Sequence, residues 1–352
     1  MFLMIAAGCL TVSKGEPDAD GYIEGLPTNP ILKEMSVILR CTVFDLNGNT
    51  QARLNGTFCR LRDDGSHIAD AGMAIAAYDP KVTELWRRDY FLPHHQVVLS
   101  EKSSNILILS NEVNVIDGKN YRHDQLTILN SQGQELHNLN FENILDQAEE
   151  KFGQKKKPFT EAFWIAKYLD RKKVYFENSH VNSFYEIWDQ KNESVQGYVV
   201  NCYYQQKIYF LDQSLKKLLR VIDMAGRKIH DVQLFGNKLY YYVNSDESRA
   251  KPWQSYLASY DLTTDRQAVE YDPHDDQYSS NACGSVQILN SNLFVIFHSN
   301  CTPTADTTSV ARLEIVDTSE KRRKRISFNP KQFGNNAYLF KSKSFLSNYH
   351  GL

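Results

Sequence analysis

Lys-Ile-Tyr-Phe-Leu-Asp, residues 207–212, decides the fold, because five other segments of the chain repeat its pattern. Each is an alternating apolar strand that ends in an acidic or amide residue and is followed by a turn and a second strand. The six segments end at Asp45, Asp79, Asn130, Asp212, Asp261 and Asp317. Successive ends lie 34, 51, 82, 49 and 56 residues apart. A repeat near fifty residues built only of strands and turns is typical of a β-propeller, so the sequence predicts an all-β, six-bladed β-propeller over residues 31–352.

The composition agrees with one large all-β domain. The chain has 352 residues, of which 12% are aromatic, and its net charge is only -2. Aromatic residues suit half-buried strands. No sustained basic face is present in the sequence, so nucleic acid is not an expected partner.

Residues 1–30 are predicted to be a signal sequence followed by a tether. The first nine residues end in Ala-Ala-Gly-Cys, which looks like the site where a signal peptidase cuts before a lipid-modified cysteine, here Cys9. We therefore expect export to the periplasm or cell envelope, with membrane attachment only through a lipid on Cys9. The alternative is a chance match, since the apolar stretch is short and lacks a basic flank.

Cysteine spacing is compatible with an oxidising compartment. Cys41 and Cys59 are 18 residues apart, as are Cys283 and Cys301, and each pair could face across a hairpin. Buried free thiols are the alternative for these four residues. Cys202 is left unpaired in either case.

One segment breaks the strand pattern between Asn130 and Asp212. Residues 141–153 carry apolar side chains at helical spacing, which predicts a helical insertion over about residues 141–170. The insertion is expected on the propeller surface, where it could lie over one mouth of the channel.

Histidines supply the candidate chemistry. His95, His180 and His230 each stand at the start of the first strand of a repeat when the repeats are aligned by eye. The innermost strand of a blade faces the axis, so three imidazoles at one position would share a pocket. Histidine can act as a nucleophile or acid–base group and can bind metal.

Several short motifs resemble the bacterial arylsulfate sulfotransferase family. They are His-His-Gln at 94–96, His-Val-Asn-Ser at 180–183 and His-Asp at 230–231, together with residues 78–86 and 283–292. The order of these motifs matches that family across about residues 35–345.

The resemblance implies an envelope enzyme that moves a sulfuryl group from an aryl sulfate to a phenolic acceptor without a nucleotide donor or other cofactor. A histidine of the family carries the group as a sulfohistidine, and the matching residue here is His230. By the same resemblance, His95 and His180 are catalytic, and Asn182 and His94 bind substrate. Donors placed at sulfate and phenolate oxygens stabilise the transition state of such a transfer.

The sequence departs from the family at one arginine. Where the family has a strand carrying Ser-x-Arg, this chain has Cys202 or Tyr203, and neither supplies the bidentate guanidinium that suits an oxyanion. Tyr203 is kept as a candidate substrate-binding residue. Arg122 could project into the channel and replace the missing arginine.

Two other functions fit the same residues. A propeller that has lost the chemistry could serve as an envelope ligand- or protein-binding module. A metal-dependent hydrolase or lyase could use three histidines as ligands, oriented by Asp124 and Asp231. The sulfotransferase interpretation requires no metal.

Overall fold

The computed structural model of the protein describes residues 21–54, 56, 59–62, 64–70, 73–89, 93–100, 102–162, 170, 172–246, 255–273, 283–298, 311–328 and 337–341. These residues form 27 strands, one α-helix and one 3-10 helix. Their strands make up six sheets. The prediction of an all-β fold with one helical element is confirmed.

The chain fills the sheets in order. After β1 (Ile23–Glu24) and the 3-10 helix (Pro30–Glu34), sheet 1 begins with β2 (Met35–Leu39), β3 (Thr42–Phe44) and β4 (Thr50–Arg53). Sheet 2 consists of β5 (Cys59–Leu61), β6 (His67–Asp70), β7 (Ala74–Tyr78) and β8 (Glu84–Asp89). Sheet 3 consists of β9 (Pro93–Leu99), β10 (Ile106–Ile116), β11 (Lys119–Leu129) and β12 (Glu135–Asn140), and it is extended by β13 (Thr160–Glu161) and β14 (Tyr175–Glu177). The helix α1 (Glu142–Phe152) separates β12 from β13.

The remaining sheets follow the same plan. Sheet 4 consists of β15 (Val181–Asp189), β16 (Ser194–Cys202), β17 (Lys207–Asp212) and β18 (Leu218–Asp223). Sheet 5 consists of β19 (Arg227–Phe235), β20 (Lys238–Asp246), β21 (Tyr256–Asp261) and β22 (Arg266–Tyr271). Sheet 6 consists of β23 (Ser285–Ile288), β24 (Leu293–His298), β25 (Ala311–Asp317) and β26 (Arg322–Phe328), with β1 added at its edge. The last strand, β27 (Ala337–Lys341), pairs antiparallel with β2 and so completes sheet 1 from the other end of the chain.

One edge strand of each sheet lies on the inside of the ring: β27 in sheet 1, and β5, β9, β15, β19 and β23 in sheets 2 to 6. Contacts run in series from β5 to β9, then to β15, β19, β23 and β27. This order, with both ends of the chain sharing sheet 1, is the architecture of a β-propeller. Side chains at the beginnings of the inner strands therefore approach one another although they are far apart in sequence.

The repeated acidic or amide residue has a local structural role in every sheet. It ends the third strand, and its side-chain oxygen accepts backbone N–H groups of the following turn. Asp45 accepts from Asn47 and Asn49, and Asp261 accepts from Thr263 and Thr264. Asp and Asn favour such turns for this reason. The repeat that predicted the fold is thus a repeated turn.

The core is divided into six apolar clusters, each packed between two neighbouring sheets. The cluster between sheets 3 and 4 is the largest, because α1 adds Ile144, Leu145 and Ala148 to it. Burial of these faces fixes how each sheet sits against the next.

The disulfide prediction is confirmed for one pair, but the bond does not cross a hairpin. Cys41, in the turn between β2 and β3, is bonded to Cys59 in β5, so the bridge joins sheets 1 and 2. Cys283 is also disulfide-bonded, and Cys301 lies outside the described residues. Cys202 is a buried free thiol.

The helix of the insertion is shorter than predicted and packs on the outer side of the propeller, away from the channel mouth. Helix α1 ends at Phe152 because Gly153 adopts a left-handed conformation with φ 65°, which terminates a helix. The chain then forms β13 rather than more helix, and residues 163–169 lie outside the described part. The helix packs against the outer strands β12 and β18, not over the inner strands at the channel mouth.

The predicted tether is also shorter. Residues 1–20, with Cys9, lie outside the described part. Ile23 and Glu24 form β1 beside Arg322 and Arg323, and Tyr22 is buried against Tyr271 at a ring distance of 5.3 Å. Residues 21–30 are therefore joined to sheet 6 instead of forming a free linker. Within the described chain, no helix is long and apolar enough to cross a membrane.

Candidate functional site

Three inner strands carry β-bulges near their beginnings. In β15 the pairing shifts between Val181 and Ser183, so Asn182 is the extra residue. In β19 it shifts between Ile229 and Asp231, so His230 is the extra residue. A third irregularity in sheet 3 lies between Ile108 and Ser110 of β10 and involves residues 94–96 of β9. Bulges redirect side chains and occur often beside functional sites.

The strand register corrects the alignment of the histidines. Because Val181 pairs with Cys202 and Ile229 pairs with Val243, the structural counterpart of His230 in sheet 4 is Asn182 and not His180. His180 stands two residues earlier. The interpretation that His180 and His230 occupy one repeat position is therefore wrong, since an offset of two residues leaves the alternating apolar pattern of a strand unchanged.

The predicted site residues nevertheless come together. His94 and His180 have ring centroids 6.4 Å apart, Tyr203 lies 5.9 Å from His180, and His230 lies 6.5 Å from Tyr203. All four are at most 7% exposed. With Asn182 and Arg122 they form a buried cluster, called here the histidine cluster, at the inner ends of sheets 3, 4 and 5.

Arg122 reaches the histidine cluster through an ion pair. Its Nη2 donates to Oε2 of Glu177 and lies 3.5 Å from Nδ1 of His180. The same Glu177 oxygen lies 3.3 Å from His180 Nδ1. Both partners of the ion pair are 2% exposed at their side chains. Arg122 is thus next to a predicted catalytic histidine, as expected for a replacement arginine, but a carboxylate already occupies its guanidinium.

The Asp124 carboxylate connects His94 of sheet 3 to the beginning of the inner strand of sheet 4. One of its oxygens lies 3.0 Å from Nε2 of His94. The other accepts the Val181 backbone N–H at 2.9 Å and the Ser179 hydroxyl at 2.7 Å. Burial by itself would raise the pKa of Asp124, but the hydrogen bond from His94 and, more weakly, the Arg122 charge hold it well below the usual range. Asp124 is therefore an ionised clamp between sheets 3 and 4.

Asp231 joins sheets 5 and 6 by hydrogen bonds. It does not orient a histidine, which the sequence had predicted. Its carboxylate accepts the Val232 and Val286 backbone N–H groups at 2.9 Å and 3.0 Å. Burial raises its pKa to about 7. Two aspartates thus hold the inner strands in place, with opposite shifts in pKa.

The Asn182 amide fixes the tautomer of His230. Asn182 Nδ2 lies 3.2 Å from His230 Nδ1 and 3.5 Å from the Ile229 carbonyl oxygen. Asn201 Nδ2 donates to the same carbonyl at 2.8 Å. Because an amide N–H can only donate, Nδ1 of His230 accepts and its Nε2 carries the proton. His230 therefore presents an N–H donor at Nε2.

Burial keeps the imidazoles neutral. It lowers the pKa of His230 to about 3, assisted by His180, and that of His180 to about 3, assisted by the Arg122 charge. The pKa of His94 is lowered for the same reason. With neutral histidines, the ionic groups at the described part of the site are the Arg122 guanidinium, the Asp124 and Glu177 carboxylates and, at the exposed edge, the Lys228 ammonium 5.8 Å from the Tyr203 ring centroid.

Two oxygens at the site, one from a carboxylate and one from an amide, can each accept a hydrogen bond that the described residues do not supply. Among the described residues, Glu177 Oε1 and Asn182 Oδ1 are buried and have no hydrogen-bond partner. Buried acceptors of this kind are costly unless a ligand or water satisfies them. The chemical character of the cluster is therefore that of a receptor for hydrogen-bond donors.

The structure bears on three further residues of the predicted site and adds one that was not predicted. His95 lies in β9, but its side chain is outside the described part. Cys202 is fully buried in the apolar cluster between sheets 3 and 4, and burial raises its thiol pKa to about 12, so Tyr203 is the residue that faces the histidines. Glu177 was missed by the sequence analysis. Its position three residues before His180 was the available signal.

A metal site has no support in the described residues. No group of three or more His, Cys, Asp or Glu side chains within them is arranged to hold a metal ion. His94 and His180 instead contact Asp124 and Glu177 respectively.

Comparison with known proteins finds similarity only among solved structures. No protein-family model and no curated protein matches the chain. Among solved structures, a protein of unknown function from Bacteroides caccae is similar at 10% identity and a TM-score of 0.50, covering 86% of this chain and 95% of that one. The WD40 repeats of RRP9 match at 10% identity and a TM-score of 0.42, covering 82% and 65%, and BamB from Moraxella catarrhalis matches at 10% and 0.38, covering 88% of each chain. At 10% identity, the Bacteroides caccae match shows a similar fold and nothing of function.

Proposed function

We propose that the protein is a ligand-binding propeller whose histidine cluster receives a small ring compound that donates hydrogen bonds through hydroxyl or ammonium groups. The observation that carries the proposal is the buried Arg122–Glu177 ion pair beside neutral His180. The pair is neutral as a whole, so its guanidinium charge is already balanced, and the ionised Asp124 adds a further buried negative charge. Anions are therefore disfavoured, while neutral and cationic donors are accepted.

The hydrogen-bonding groups support the same ligand class. Glu177 Oε1 and Asn182 Oδ1 offer buried acceptor capacity among the described residues. His230 adds an N–H donor at Nε2 through its Asn182-fixed tautomer. A hydroxyl group can use both kinds of partner, because it donates and accepts.

The rings of the cluster favour a flat ligand. His180, Tyr203 and His230 follow one another at centroid distances of 5.9 and 6.5 Å. Aromatic walls with a few convergent polar groups are typical of small-molecule sites. The ring contacts supply apolar area, and the polar groups supply orientation.

Export of the protein is part of the proposal. The Cys41–Cys59 disulfide and the bonded state of Cys283 support an oxidising compartment such as the periplasm or cell envelope. Lipid attachment at Cys9 remains a prediction of the sequence.

Three matched probes test the ligand class: 4-nitrobenzyl alcohol, 4-nitrobenzylammonium and 4-nitrophenyl sulfate. We expect calorimetric titration to detect the alcohol and the ammonium compound and to find the sulfate at least tenfold weaker. His230→Ala should weaken alcohol binding roughly tenfold through loss of a hydrogen bond and ring contact. His137→Ala, at a half-buried position on the outer strand β12, is the matched control. Equal binding of all three probes, or binding unaffected by His230→Ala, would contradict the proposal.

Sulfuryl transfer through His230 is the second candidate function, and the proximity of Arg122, His180 and His230 supports it. Attack on sulfur requires an imidazole nitrogen lone pair, and departure of the phenolate is assisted by a proton donor. In the observed arrangement the His230 Nδ1 lone pair accepts from Asn182, and His180 is neutral. Intact mass after mixing with 4-nitrophenyl sulfate separates the two functions. A gain of one sulfuryl group in the wild type and not in His230→Ala would establish transfer.

A further inference from the structure

We infer that Glu177 is the specificity-determining residue of the histidine cluster and acts as a charge lock on Arg122; this inference rests on the proposed function. By pairing with Nη2 of the guanidinium and balancing its charge, Glu177 disfavours anionic ligands. Removing its charge should turn the same site into an oxyanion receptor.

The Arg122–Glu177 ion pair that forms the charge lock is in contact with the imidazole of His180. Glu177 Oε2 accepts from Arg122 Nη2 and lies 3.3 Å from His180 Nδ1. The guanidinium lies 3.5 Å from the same imidazole nitrogen. One carboxylate oxygen thus holds both the cation and a ring of the site.

The second carboxylate oxygen has capacity to accept a hydrogen bond from a ligand. Glu177 Oε1 is buried, the residue is 1% exposed, and among the described residues this oxygen has no hydrogen-bond partner. A ligand hydroxyl or ammonium group would satisfy it. Glu177 therefore has two roles on two atoms: Oε2 neutralises Arg122, and Oε1 accepts from the ligand.

The chain fixes Glu177 from both sides. It ends β14, whose Tyr175 and Phe176 pair in parallel with Asn120 and Tyr121 of β11, the strand that carries Arg122. It also pairs with Thr160 of β13. The strands β13 and β14 thus place the carboxylate against the arginine, which gives this part of the insertion a functional role.

Glu177→Gln keeps the side-chain shape and removes the charge. We expect the variant to bind 4-nitrophenyl sulfate at least tenfold more tightly than the wild type and to bind 4-nitrobenzylammonium at least tenfold more weakly. Glu314→Gln is the matched control, because Glu314 is also fully buried and paired to an arginine, Arg325 at 2.8 Å, but lies in sheet 6. It should change neither affinity.

A second pair of variants covers a failure of Glu177→Gln to fold, since it leaves a buried cation without its partner. Arg122→Gln should reverse the selectivity, with at least tenfold tighter binding of 4-nitrobenzylammonium. The double variant Arg122→Gln/Glu177→Gln should bind 4-nitrobenzyl alcohol and gain affinity for neither ion.

The outcomes separate this inference from the proposed function. If folded Glu177→Gln and Arg122→Gln keep the wild-type preference among the three probes, the charge lock is wrong even when the alcohol binds. If the wild type binds no probe but Glu177→Gln gains the sulfate, the lock is supported and the proposed function fails.

Discussion

Asn182 and His230, which are 48 residues apart in sequence, are the bulge residues of adjacent inner strands and contact each other through Nδ2 and Nδ1 at 3.2 Å. The two positions are structurally equivalent, so the propeller has placed an amide in one sheet and an imidazole in the next at the same point of the repeat. The amide decides which nitrogen of the imidazole carries the proton. The central chemical group of the site is therefore set by a neighbouring sheet.

Replacement of Asn182 by aspartate should reverse the tautomer of His230. A carboxylate accepts from Nδ1–H, so the proton moves from Nε2 to Nδ1, and the added negative charge raises the pKa of His230 above its present value of about 3. Long-range proton–nitrogen spectra of the imidazoles report both changes. Asn192→Asp, in an exposed turn, should leave the His230 signals unchanged. An Nδ1–H tautomer in the wild type would contradict the assignment.

Asp124→Asn should lower the free energy of unfolding by about 2–4 kcal/mol, because a buried carboxylate that accepts from Val181 N–H and the Ser179 hydroxyl is replaced by an amide. Urea unfolding measures the change. Asp45→Asn is the control, since Asn130 already occupies the equivalent turn position in sheet 3 and accepts two backbone N–H groups there. Equal losses of unfolding free energy for the two variants would contradict a particular role of Asp124 in joining sheets 3 and 4.

Asp231 should give the fold a pH dependence of opposite sign to that of Asp124. Its folded pKa of about 7 lies above the ordinary aspartate value of 3.8, so the folded state binds the extra proton between these limits. Its contribution to stability is therefore largest at low pH and falls by about 3–4 kcal/mol as pH rises from 4 to 7. The difference in unfolding free energy between wild type and Asp231→Asn should follow this curve. A flat difference from pH 4 to 8 would refute the shift.

The bridge between sheets 1 and 2 should stabilise the ring. Replacing Cys41 and Cys59 by alanine removes a disulfide that limits the unfolded chain, and we expect a loss of about 2–4 kcal/mol. Thermal unfolding of both proteins with and without reductant checks this: the difference between them should be present without reductant and vanish with it, whereas the bond of Cys283 is lost from both. Cys202→Ala provides a comparison in which a buried thiol is lost without loss of a bridge.

The sequence predicted those parts of the fold that local chemistry specifies. The turn after each third strand requires a side-chain acceptor, so Asp45, Asp212 and Asp261 mark the sheets directly. The end of α1 could also have been read more closely from Gly153, which takes the left-handed conformation. Such signals act within a few residues of one another.

The sequence predicted most residues of the site but not how they are arranged relative to one another. His180, His230 and Asn182 were identified, yet His180 was aligned with His230 although Asn182 is its counterpart, because an offset of two residues keeps the apolar alternation and only the paired bulges reveal it. Glu177 escaped notice because its partner Arg122 is 55 residues away and meets it only through the parallel pairing of β14 with β11. Long-range pairing of this kind has no local signature.

The imidazole spectrum of the wild type titrated with 4-nitrobenzyl alcohol tests the central claim most directly. If the histidine cluster is the binding site, the signals of His94, His180 and His230 shift together in proportion to occupancy, and that of His137 on β12 stays in place. Binding that leaves all three cluster signals unmoved would place the ligand elsewhere and contradict the account.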